Sequence, residues 1–238
     1  GYVKSLLKQG RFDEIDNLLV TLTNKPETRF AMHDLLAQYY IETEDYELAY
    51  QEIKQATSLS PRNIERNKKS WDLARLNHDH QGQYEATCNI AKNARNSIHD
   101  SPILLLNVIR AGIDLACSIT DSSSEKVLKQ TERYIKQFDK DYDDAHLFKE
   151  QIVVTQARLH NVQNQEELAK RIVETHVSLK PNQSIEDNLD KVKVFHELGM
   201  REESIHLLDS IKKQIAGDSL NSQVANKYVE QETEERTE

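Results

Sequence analysis

Between Phe30 and Asn63 the chain sets small against large side chains at spacings that suit two antiparallel helices packed face to face. The first stretch reads FAMHDLLAQYYIET and the second YELAYQEIKQATSL, each with the apolar periodicity of a helix. Ala37 and Ala49 fall where the two helices cross, because only a small side chain lets two backbones approach closely. Tyr40, Tyr46 and Ile53 are the large residues beside that crossing, so small and large interdigitate. Pro61 cannot continue a helix and stops the second one. One hairpin cannot bury its apolar face alone, which requires neighbours of the same kind to stack on it.

Such neighbours are visible on both sides. Upstream, QGRFDEIDNLLVTL places Gly10, Phe12, Ile15 and Leu19 as a turn, an aromatic, a crossing residue and a bulky residue; Ile15 precedes Ala49 by 34 residues. Downstream, Trp71, Gly82 and Tyr84 read as the aromatic, turn and aromatic sites of a third unit, set a few residues out of step by a longer linker. A fourth hairpin spans Pro102–Thr120 and Ser122–Phe138. A fifth carries Ala157, Ala169, Val173 and Pro181, and a sixth runs over Ile185–Leu198 and Arg201–Ile215 with its turn at Gly199. Residues 218–229 read as a short capping helix. The reading is therefore an all-α stack of about six antiparallel hairpins over residues 1–228, with an acidic, disordered tail at 229–238.

Composition enters where it separates function classes. With 37% hydrophobic and 30% charged residues, the chain has much surface for its core, as an elongated array would. Six glycines and four prolines leave little for Gly-rich loops. A net charge of −9 argues against nucleic-acid binding, and the basic run Arg62–Lys69 is interrupted by Glu65. No apolar stretch is long enough to insert in a membrane; ILLLNVI at 103–109 ends on Arg110. Cys88 and Cys117 lie on apolar helix faces in no metal or redox spacing, which fits a reducing, cytoplasmic setting.

The offsets of Leu36, Ala37, Tyr40, Tyr46, Ala49, Ile53, Ala56 and Pro61 resemble those of the tetratricopeptide repeat, a helix–turn–helix unit of 34 residues, with His33 where that family most often has Trp. The resemblance implies that the hairpins form a right-handed superhelical stack, a solenoid with a concave groove lined by the first helix of each hairpin and used to hold a protein or peptide. Carried over by position, the groove residues are Ala31, Asp34, Gln38 and Ile41 in the second unit. In the third they are Lys69, Asp72, Leu76 and Asp79, and in the fifth Gln151, Val154, Arg158 and Asn161. The carboxylate clamp of the family's co-chaperones is not matched: Lys4 and Leu73 stand where asparagines are needed.

Clusters that suggest chemistry have plainer explanations. His78 and His80 are two apart, so on a helix they do not converge on one metal ion. Asp139, Asp141, Asp143 and Glu150 imitate part of a calcium loop, but Asp144 replaces its turn glycine; Asp141 or Asp143 is expected to cap the following helix instead. Asp121 or Ser122, followed by Glu125, reads as another cap. No metal, no cofactor and no catalytic residue is expected. The chain further resembles the C-terminal effector region of a bacterial two-component response regulator, which implies signal transduction and a receiver domain upstream of a first helix cut short near Tyr2. The alternatives are a peptide-sensing regulator of the same repeat class and a scaffold subunit, the latter also compatible with a homodimer.

Overall fold

The computed structural model describes residues 29–95, 97, 100–120, 122–142, 145–179 and 184–215, with 5–6, 9–11, 14–15 and 17–18 ahead of them. Pro181, the short helix expected at 218–229 and the boundary expected at 228/229 lie outside the described residues. Among the described residues every regular element is helical. Ten α-helices follow one another: α1 (Arg29–Glu42), α2 (Tyr46–Leu59), α3 (Ile64–Leu76), α4 (His80–Ala94), α5 (Pro102–Ser118), α6 (Ser123–Asp141), α7 (Lys149–Val162), α8 (Glu166–His176), α9 (Ile185–Glu197) and α10 (Arg201–Ile215). Each odd-numbered helix packs against the even-numbered helix that follows it, so the described chain forms five successive hairpins. They divide between two compact units, Gly1–Asp100 and Ser101–Glu238.

Four of the five described hairpins, all but α5–α6, turn with one geometry, which Gly10 also shows ahead of α1. Gly10, Glu44, His78, Asn164 and Gly199 all have positive φ, between 53° and 73°. The next residue's N–H reaches back five residues, as Asp45 to the Tyr40 carbonyl at 2.8 Å and Met200 to the Phe195 carbonyl at 2.8 Å. A left-handed residue after the last turn lets the chain reverse while satisfying a terminal carbonyl. Gly199 takes this conformation without steric cost. Glu44, His78 and Asn164 take it despite their side chains, which is why glycine scarcity does not prevent the turns.

These turns correct the repeat phase. His78 follows Glu44, and Glu44 follows Gly10, by 34 residues, so no extra linker precedes the third unit. Gly82 is inside α4 rather than at the turn, and Trp71 takes the place that Ala37 and Ala157 hold in their hairpins, seven residues before the turn. Two caps also differ. Asp141 is the last residue of α6, and Asp143 lies outside the described residues. Ser122 precedes α6 without a side-chain cap bond; Ser124 donates instead to the Ala116 carbonyl at 3.0 Å. Asp121 also lies outside the described residues.

In the first unit the core joins Ala37, Ala49, Tyr50, Ile53, Ala56, Leu73 and Ala74, with Tyr40, Ile41 and Tyr46 packed against it. Leu36 is half-buried beside it and Pro61 is exposed at the end of α2. Leu6 and Ile15 form a separate small cluster with Leu18 and Leu35, so residues ahead of α1 pack on that helix. The second unit has two clusters. One joins Leu106, Ile109, Ile113, Phe138 and Ile152; the other joins Ala157, Ala169, Val173, Val192, Phe195 and Leu207. Ala49, Ala56, Ala157 and Ala169 are all fully buried, as close helix approach demands. Of the cysteines, Cys88 is half-buried, while Cys117 is exposed rather than packed on an apolar face.

Candidate partner-binding face

The first helices of the hairpins carry the positions expected to meet a partner. In the first unit these are α1 and α3. Asp34 on α1 accepts from Arg66 on α3 through both oxygens, Nε to Oδ1 at 2.9 Å and Nη2 to Oδ2 at 2.6 Å. Arg66 is buried, its guanidinium also lies 5.1 Å from the Phe30 ring centre, and its backbone N–H is held by the Asn63 side chain. The two-pronged bond fixes orientation as well as distance, so Asp34 ties successive hairpins together. Gln38, one turn further on, is half-buried and donates to Glu42 at 2.9 Å. Ala31 is half-buried and Ile41 borders the core. Lys69 and Asp72 are both exposed on α3. Under the corrected phase Asp72 is the counterpart of Gln38, since each stands six residues before its turn. Leu76 packs against the core, and Asp79 caps α4 by accepting from the Gly82 N–H at 2.8 Å.

In the second unit α7 packs against both α5 and α9, and the three helices enclose a network of charge. Arg158 on α7 stands at its centre and is 2% exposed. Its Nη2 donates to Asp114 Oδ1 on α5 and to Glu197 Oε1 on α9, each at 2.7 Å, and its Nη1 lies 3.8 Å from Asp190. Lys193 donates to the other Asp114 oxygen at 2.9 Å. Arg110 donates to Asp187 at 2.6 Å and meets Asp190 through Nε. Gln151 completes Asp187 at 3.0 Å. At the margin Lys191, 1% exposed, pairs with Glu150 at 2.9 Å. Val154 is buried in the apolar cluster and Asn161 is half-buried.

Thus Gln151, half-buried, is bonded to Asp187, while Arg158 is enclosed and taken up by Asp114 and Glu197 rather than presented to a partner. Sequence reasoning does not find Arg110, Asp114, Asp187, Asp190, Lys193 or Glu197. One signal is present: Arg110 and Asp114 interrupt the apolar run of α5 on a helix that is otherwise largely buried. A charge at such a position needs a partner from another helix.

The electrostatics limit what Asp114 does chemically. Burial by itself would raise the Asp114 carboxyl, but Lys193 and Arg158 outweigh it and hold the group well below the usual carboxylate range. A carboxylate held ionised at every ordinary pH is a poor proton donor or acceptor, since acid–base catalysis needs a pKa near the working pH. Three cations, Arg110, Arg158 and Lys193, face four carboxylates, Asp114, Asp187, Asp190 and Glu197. The arrangement positions helices. Among the described residues no three His, Cys, Asp or Glu side chains converge as a metal site would require, and no helix is long and apolar enough to cross a membrane.

No protein-family model matches the sequence, and no curated protein matches it. The structure is similar to that of a thermophilic TPR protein of Thermus thermophilus, with a TM-score of 0.47 and 11% sequence identity, covering 84% of this chain and 97% of that one. The hairpin architecture rests on the helices themselves rather than on this likeness.

Proposed function

We propose that the chain is a non-catalytic protein-interaction module that holds a protein or peptide along the first helices of its hairpins. The observation that carries this reading is the Asp34–Arg66 bond, which fixes α1 against α3 and so presents Gln38, Lys69 and Asp72 on helices already held in place. A face ordered before binding loses less freedom on association. In the second unit the corresponding role falls to exposed margins of the charge network, because Arg158 itself is enclosed.

The test is capture of proteins from a lysate of the source organism by the immobilised chain, identified by mass spectrometry. Replacing Gln38, Lys69 and Asp72 together by alanine should abolish retention of the specific partner while the helical circular dichroism stays intact. Undiminished capture by that folded variant would remove this face from the reading. The finer form, taken from the resemblance, is the output region of a bacterial response regulator in the cytoplasm. Reading the gene upstream of Gly1 decides it: a receiver domain supports this form, whereas a DNA-binding domain turns it into a peptide-sensing regulator.

A further inference from the structure

Away from the face just described, α6 carries its cations in one row. Lys126, Lys129, Arg133, Lys136 and Lys140 recur alternately three and four residues apart, and all are exposed. With about 100° between successive residues of a helix they fall within an arc of about 80°, and the row runs about 21 Å along the axis. The opposite face of the helix, with Leu128, Ile135 and Phe138, is packed in the core. Glu125 and Glu132 flank the row on one side: Glu125 accepts from Lys129 at 2.6 Å, and Glu132 accepts from Gln163 on α7. Like charges four apart, as in Lys129–Arg133 and Lys136–Lys140, oppose the helix that holds them. An anion laid along the row removes that repulsion.

The shape of the row narrows the class of anion. It is one side chain wide, which fits a linear polyanion. A membrane surface would also meet Glu125 and Glu132, and the apolar residues of α6 that could enter it are turned inward. A nucleic acid would meet a chain of net charge −9. An acidic peptide segment suffers neither objection, and the chain contains one. Residues 230–238, outside the described residues, read EQETEERTE, with glutamates at 230, 232, 234, 235 and 238 against Arg236 alone. In extended backbone Glu230, Glu232 and Glu234 share a face at intervals of about 6.6 Å. Successive cations of the row stand about 4.5–6 Å apart, a difference that long lysine side chains take up.

The segment can reach the row. Both belong to the unit Ser101–Glu238. From α10, which ends at Ile215, the way to α6 passes over α9 and α7, each packed on the next. Three interaxial steps of 8–10 Å make about 30 Å. Residues 216–229 span up to about 50 Å when extended. Each exposed ion pair is weak by itself, but tethering raises the effective concentration of the segment to the millimolar range.

We propose that the basic row of α6 is the docking surface for the chain's own acidic segment 230–238. Another acidic peptide then gains the row only by displacing that segment.

The experiment compares ¹⁵N NMR spectra of the full chain and of a chain shortened to end at Val229. Removing 230–238 should shift the amides of residues 126–140 at low salt, by the same amount in concentrated and dilute protein. High salt should abolish the difference, because it screens exposed charges. Lys126→Gln, Lys136→Gln and Lys140→Gln, all at exposed positions, should leave the helical circular dichroism intact. In that triple variant, removal of the segment should no longer move α6. A hexaglutamate peptide should bind the shortened chain about tenfold more tightly than the full chain, since it no longer competes with a tethered segment. Amides of α6 that stay in place on shortening, or shifts that persist in the triple variant or in high salt, would overturn the proposal. Shifts that fade on dilution would overturn it in favour of a second copy. Phosphatidylserine vesicles or duplex DNA that bind the row equally well in the full and shortened chains would assign it to one of those anions instead.

Discussion

The two units solve the same packing problem with different chemistry. In the first, successive hairpins are tied by one bidentate bond, Arg66 to Asp34, whose carboxylate is still 32% exposed. In the second, α5, α7 and α9 are tied by seven charged side chains, and Arg158 at the centre is 2% exposed. Both units place a fully buried alanine at the helix crossings, Ala49 in one and Ala157 in the other. The crossings therefore set how closely two helices of a hairpin approach, while charge sets how one hairpin meets the next. Burial decides how much each tie contributes. An ion pair open to water contributes little, whereas a charge enclosed among its partners is expensive to expose singly.

Removing the central cation gives the largest expected effect. Arg158→Met leaves Asp114, Asp190 and Glu197 enclosed without their shared counter-ion and should cost about 3–5 kcal/mol. Amide hydrogen exchange at α5, α7 and α9 is the measurement, since it reads stability helix by helix. Arg66→Met in the first unit should cost only about 1 kcal/mol, because Asp34 regains water when its partner leaves. Equal losses at the two sites would mean that burial does not distinguish the ties.

Acid separates the units next. In the first unit burial pushes Asp79 up, but the Gly82 N–H, Tyr50 and Lys54 outweigh it, so its carboxyl also lies below the ordinary value. Asp114 is held lower still. Both folded-state values are depressed, so each group adds stability that is fully present above the unfolded carboxylate pKa of about 3.9 and is lost as pH falls through the folded value. Urea midpoints measured by helical ellipticity from pH 6 down to pH 3 should fall, and Asp114→Asn should flatten that fall more than Asp79→Asn. Trp71, the chain's one tryptophan, lies on α3 with Arg75 stacked 4.8 Å from its ring, so its fluorescence follows the first unit separately. A steeper acid loss at Trp71 than in the ellipticity would reverse the comparison.

The difference between the units also explains what the sequence discloses. Ala37, Ala49, Ile53 and Ala56 are legible because a helix crossing is local, with the small and large residues a fixed number of positions apart. Ala157 and Ala169 follow from the same offsets, and the bounds of the last hairpin fall within a residue of those observed. The third unit misleads because Trp71 and Gly82 imitate the aromatic and turn sites, whereas the reversal is made by His78 in a left-handed conformation. The network leaves almost no local trace. Arg158 meets Asp114 across 44 residues, and Lys193 meets Asp114 across 79, so spacing along one helix cannot reveal either. Repeat position alone puts Arg158 on a binding face for that reason, and only the partners on α5 and α9 show it enclosed.

The smallest effect tests whether the network reaches the helix ends. Asp45 caps α2 by accepting from the Leu48 N–H at 3.3 Å, and Ser184 caps α9 by accepting from the Asp187 N–H at 3.3 Å. Taken as isolated caps, Asp45→Ala and Ser184→Ala should each cost about 1 kcal/mol. The residue held by Ser184 is itself part of the network, since the Asp187 side chain receives Arg110 and Gln151. If the cap and the network act as one unit, Ser184→Ala should cost more than Asp45→Ala in urea unfolding. The excess should then vanish when Ser184→Ala is combined with Arg110→Met, because non-additivity marks sites that share partners. A cost at Ser184 that is the same with or without Arg110 would confine the network to the helix interiors and leave the caps of both units equivalent.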